Sequence, residues 1–97
     1  MDVLQASNVS ALANRRVAGS GGFIILAAGA HTGLNVEAIE ITAASVITVY
    51  KEDETDKMGD RNLAAVNLVA GMYLPAPAGS VITDLTIDAM AIGYLKS

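Results

Sequence analysis

The 97-residue chain has no cysteine, no tryptophan, one histidine, two prolines, and only six basic and ten acidic residues. Each scarcity excludes something. Without cysteine there is no disulfide framework, no thiol nucleophile and no thiolate metal site. A net charge of −4, with Arg15-Arg16 as the one basic pair, excludes the concentrated positive footprint that nucleic-acid binding needs. Charged residues are 16% of the chain, against about 25% in an ordinary soluble domain. Long uncharged runs do exist, at residues 17–36 and 62–83. The first holds five glycines and His31, the second two prolines and two asparagines, so neither suits a membrane helix. The opening Met1-Asp2-Val3-Leu4 lacks the basic region and apolar core of a secretory signal. The chain reads as soluble, with neither a membrane nor a nucleic acid as partner.

What remains is an apolar share of 53% in a chain of one-domain size, which buries roughly two thirds of its unfolded surface. Half of the charges lie within residues 51–61, leaving the rest of the surface weakly polar. Such a surface signals a partner, and small chains without disulfides or metals often gain stability by oligomerising.

Residues 1–19 are rich in Ala, Asn and Ser. They read as an N-terminal arm or a short helix capped by Ser7 or Asn8. Gly19-Ser20-Gly21-Gly22 then acts as a hinge into a β-domain spanning 20–97. It lacks the lysine of a phosphate loop and the third glycine of a dinucleotide fingerprint. Phe23-Ile24-Ile25-Leu26 is too short for a helix and is expected to be a strand buried on both faces. Residues 30–33 read as its terminating loop and 36–41 as a strand. Residues 45–50 are almost wholly β-branched or aromatic, the clearest strand in the chain. Residues 63–69 are ambiguous and are assigned as strand because Gly71 follows closely. Met72-Tyr73-Leu74 is a strand stopped by Pro75 and Pro77, which belong to a turn or a sheet edge. Val81, Thr83, Leu85, Ile87 and Ala89 alternate on one face. From Met90 the apolar residues change sides, which predicts a bulge near Ala89 or a strand end covered by a neighbouring subunit. Short strands separated by turn signals make an all-β fold, a small β-sandwich or jelly-roll-like barrel. The echo of Ser45-Val46-Ile47-Thr48 in Ser80-Val81-Ile82-Thr83 reflects common strand composition.

No set of residues forms a catalytic, cofactor or metal site. The loop at 51–61 carries five acids and three bases. Its spacing does not match a calcium loop, and its bases repel a cation. It reads as a solvated, mobile hairpin tip. Asp84 and Asp88 on one strand would sit roughly 13 Å apart, too far for a glycosidase pair at about 5–9.5 Å. His31 has no acid within five positions, so a nucleophile–histidine–acid arrangement lacks its partners. Arg15-Arg16 reads as a solvated pair. The four aromatics, Phe23, Tyr50, Tyr73 and Tyr94, are assigned to core or interface packing, since a sugar-binding surface would need them gathered on one face.

The stretches Ala70-Gly71-Met72-Tyr73-Leu74-Pro75, Gly79-Ser80-Val81-Ile82-Thr83-Asp84 and Ala91-Ile92-Gly93-Tyr94-Leu95-Lys96 resemble the small β-sandwich virion proteins of tailed bacteriophages. Those proteins decorate or cement the capsid, or form fibre and tail parts. The resemblance implies a non-enzymatic structural protein of a viral particle, located in the virion after synthesis in the host cytoplasm. Its partners would be copies of itself, commonly as trimers, and the major capsid or another virion protein. It carries no catalytic residues with it. The alternative expectation is a carbohydrate- or host-surface-binding module of a fibre or tail, reached through the 51–61 loop.

Overall fold

The computed structural model describes residues 21–96. The arm or short helix expected at 1–19 and the Arg15-Arg16 pair lie outside the described residues. Every regular element among the described residues is a strand: β1 (Phe23–Leu26), β2 (Gly29–His31), β3 (Val36–Ile41), β4 (Ile47–Glu52), β5 (Thr55–Asp56), β6 (Tyr73–Pro75), β7 (Ile82–Ile87) and β8 (Ala91–Leu95). All pair antiparallel in one curled sheet. The fold is all-β, a half-barrel of the small barrel or sandwich kind.

Two leaves compose it. In the first the spatial order is β1-β8-β3-β6, and in the second β2-β7-β4-β5. They join at a corner where Val36 of β3 faces Ile82 of β7. The curl has a local cause. Glu37 in β3, Thr48 in β4 and Thr83 in β7 are each skipped in the pairing register. An extra residue of this kind bends the strand and reverses its inside–outside alternation. The result is three pairs of buried residues spaced three apart: Val36 and Ile39, Ile47 and Tyr50, Ile82 and Leu85.

That spacing corrects the reading of the last stretch. The buried residues of β7 are Ile82, Leu85 and Ile87, while Thr83 is the bulge. The bulge expected near Ala89 lies six residues earlier in the chain. The change of sides at Met90 is real but has another meaning: Ala91 and Gly93 are buried, and Ile92 and Tyr94 lie on the outer face. Small residues line the inner face of β8 because larger neighbours cover them. A Cβ built on Gly93 would come within 3.1 Å of Val36 and 3.2 Å of both Ile24 and Leu26.

Other expectations shift for equally local reasons. Residues 29–31 are a strand on β7, not part of a loop. The strand expected at 45–50 runs Ile47–Glu52 and turns directly into β5. The two residues of that turn, Asp53 and Glu54, both have positive φ (52° and 65°), the backbone of a type I′ hairpin turn. Residues 63–69 form turns, with Asn62 and Ala65 left-handed (φ 53° and 57°). Only Leu68 pairs, through reciprocal backbone hydrogen bonds with Ser45 at 2.8 and 2.9 Å. The segment nevertheless serves the core, because Leu63 and Leu68 are both buried. Pro75 and Pro77 behave as expected: β6 pairs only β3 and is an edge.

Candidate functional site

The two leaves have different outer faces. Cross-strand partners share a face of a sheet, so the register assigns each side chain. On the outside of the first leaf one row runs Phe23, Tyr94, Ala38, Pro75, and the next Ile25, Ile92, Glu40, Tyr73. On the outside of the second leaf the rows are Ala30, Thr86, Val49 and Asp84, Lys51. One face is apolar and aromatic; the other is small, polar and of mixed charge.

Phe23 and Ile25 of β1 are 64% and 53% exposed, against the expectation of a strand buried on both faces. The cause is topological: β1 stands at the end of its leaf, so Ile24 and Leu26 face the core while the alternate residues face out. Tyr73 and Met90 are about half exposed as well. Three of the four aromatics therefore gather on this face: Phe23 sits opposite Tyr94, and the Tyr73 and Tyr94 rings lie 6.2 Å apart, tilted at 51°. Tyr94 donates its hydroxyl to Glu40 Oε1 at 2.7 Å. Partial burial, with Glu37 and Glu40 nearby, pushes the Tyr73 phenol up, so it stays neutral.

The 51–61 segment is not a free tip. Asp53 donates its N–H to the Val81 carbonyl at 2.9 Å and takes the Val81 N–H on Oδ1 at 3.1 Å; the Glu54 N–H reaches Thr83 Oγ1 at 2.8 Å. Hydrogen bonds from Ser80 and the Val81 N–H hold the Asp53 carboxyl below its usual range. Glu52, expected in solvent, is 2% exposed. Its carboxylate accepts from the Tyr50 hydroxyl and from two nitrogens of Arg61. Burial raises the Glu52 pKa, but these hydrogen bonds outweigh it and hold the group below an ordinary glutamate. Burial, then the neighbouring Glu52, pushes Tyr50 far up. A cavity of about 160 Å³ opens here, lined by Tyr50, Arg61, Leu63, Leu74 and Pro75. Its polar lining groups, Tyr50 and Arg61, both bond the Glu52 carboxylate.

The remaining sequence candidates are dispersed. His31 Nε2 bonds the Ala27 carbonyl at 2.7 Å. Asp88 accepts the Val46 N–H at 2.7 Å, and Asp84 stands opposite Lys51 across the strands. Gly21 and Gly22 are tied to Leu95 by backbone hydrogen bonds at 3.2 and 2.9 Å, so this half of the glycine cluster belongs to the sheet. Among the described residues no three His, Asp or Glu side chains come together as metal ligands.

No family model matches the chain, and no curated protein or solved structure matches it significantly. Function is therefore read from the residues themselves. The apolar outer face escaped sequence reading because Phe23 and Ile25 look like core residues in a one-dimensional pattern. The uncharged run at 17–36 was the available signal.

Proposed function

We propose that this chain is a non-enzymatic structural protein of a viral particle, a capsid decoration or cement protein that binds copies of itself and the shell. The observation that supports this reading is the apolar face of the first leaf, which no other described residues cover, built around Phe23, Ile25, Ile92 and Tyr73. Burying such a face contributes roughly 25 cal/mol per Å² before the cost of association. Attachment through it needs no particular copy number, although the resemblance implies trimers. The described side chains supply no assembled nucleophile, base or metal cluster, which favours binding over catalysis.

The test compares particles assembled with and without this chain. Added purified protein should bind saturably and raise the temperature at which the shells open. Shells that neither bind it nor gain stability would sink the reading.

The gathering of Phe23, Tyr73 and Tyr94 on one face favours a second reading, a carbohydrate- or host-surface-binding module of a fibre or tail. The 51° tilt between the two tyrosines weighs against it, because sugar rings stack on flat aromatic platforms. Binding to a glycan array, lost in Tyr73→Ala, would favour the second reading.

A further inference from the structure

We infer that two copies of this chain join edge to edge through β1, forming a sheet continuous across a two-fold axis. This rests on the self-association reading above and names its joint.

The four outer edges of the two leaves are not alike. β5 is two residues long, Thr55 and Asp56, next to Asp53 and Glu54. β6 contains Pro75, which has no N–H, with Pro77 close behind. β2 is three residues long and begins with Gly29 at φ 130°. Charge, proline and brevity are the ways in which proteins blunt an edge against pairing. β1 is the longest of the four edges and carries neither charge nor proline. Phe23-Ile24-Ile25-Leu26 is uncharged, has no proline and pairs with β8 without a register break.

The edge of β1, open among the described residues, is also self-complementary. Leu95 donates its N–H to the Gly22 carbonyl at 2.9 Å. Antiparallel alternation then directs the peptide groups of Ile24 and Leu26 at β8 and those of Phe23 and Ile25 away from it. An antiparallel partner placed about an axis at Ile24 sets Phe23 of each copy opposite Ile25 of the other. Each such pair exchanges both backbone hydrogen bonds. The outer faces of the two first leaves merge in the same step, so that Phe23, Ile25, Ile92 and Tyr94 of both copies form one surface.

The joint rests on the backbone ladder, with Phe23 and Ile25, 64% and 53% exposed, side by side across it as cross-strand neighbours. A three-fold joint by strand addition is heterologous and needs a second, different edge to receive β1, and each of the other edges is blunted. A second copy is therefore the occupant that the edge fits.

The test is the solution mass of the full chain by light scattering, with two variants. Wild type should run at twice 9.9 kDa. Ile25→Lys, a charge on an exposed position of the open edge, should raise the dimer dissociation constant by roughly tenfold or more while leaving the β-sheet circular dichroism unchanged. Ile24→Cys should form a disulfide-linked dimer on oxidation, since opposed residues at the axis lie within disulfide reach, whereas Glu54→Cys should not. A trimer that survives Ile25→Lys would overturn the β1 joint and leave self-association standing. A wild-type monomer at every concentration, with β1 covered by residues 1–20 or simply bare, would overturn the joint as well. Particle binding by that monomer would still uphold the cement reading.

Discussion

Arg61 grips the buried carboxylate of Glu52 with two nitrogens, Nη2 to Oε1 at 2.7 Å and Nε to Oε2 at 3.0 Å. The pair ties the end of β4 to the residues after β5, and the Tyr50 hydroxyl completes it at 2.5 Å from Oε2. Bidentate, charge-assisted geometry makes this the strongest polar contact among the described residues. It also explains how a glutamate can occupy a buried strand position.

Replacing Glu52 by Ala removes the acceptor and leaves the buried Tyr50 hydroxyl without its partner. A loss of about 1–3 kcal/mol is expected, the usual cost of an unsatisfied buried polar group. Urea unfolding of Glu52→Ala against wild type at neutral pH measures it. An unchanged midpoint would mean that the network contributes nothing to the fold.

The same carboxylate sets an acid limit. Its folded pKa is held below the ordinary glutamate value, so the unfolded chain takes up a proton first as pH falls. The stabilisation is complete above about pH 4.3 and is lost as pH drops through the lowered folded value. Unfolding midpoints of wild type and Glu52→Gln should therefore differ at pH 7 and converge in acid. Parallel curves from pH 7 to pH 2 would refute this.

Gly93→Ala should overpack the first leaf. The added methyl meets Val36, Ile24 and Leu26 from three sides at 3.1–3.2 Å, and all three belong to or pack on the core. A loss of about 1–3 kcal/mol is expected, visible as a lower thermal midpoint. A variant as stable as wild type would show that Ile24 and Leu26 can withdraw freely.

Ser45→Ala should go the other way. The Ser45 hydroxyl is buried and has no hydrogen-bond partner among the described residues, while its backbone bonds to Leu68 do not involve the side chain. Removing it relieves an unsatisfied group, so stability should stay level or rise by up to about 1 kcal/mol. A clear drop in the urea midpoint would reveal a role for the hydroxyl that the packing does not show.

Much of the strand content was legible because it depends on local chemistry. β-Branched and aromatic runs became β1, β3, β4, β7 and β8, and the paired prolines marked an edge. Where the reading failed, the cause was non-local. Residues 63–69 are apolar enough for a strand, yet Leu63 and Leu68 fill the core from turns. The outer face of the first leaf was hidden for the same reason, since a strand's exposure depends on which strands lie beside it.

Residue inventory and period-two patterning alone determined that this chain is a sparsely charged, cysteine-free β protein, because neither depends on partners distant in sequence. Only the tertiary structure decided which apolar residues are core and which are surface. The bulges at Glu37, Thr48 and Thr83 reverse the alternation of three strands, and the order β1-β8-β3-β6 leaves β1 at an end with Phe23 and Ile25 in water. Burial is a property of neighbours brought together by long-range pairing, and no window of sequence contains it.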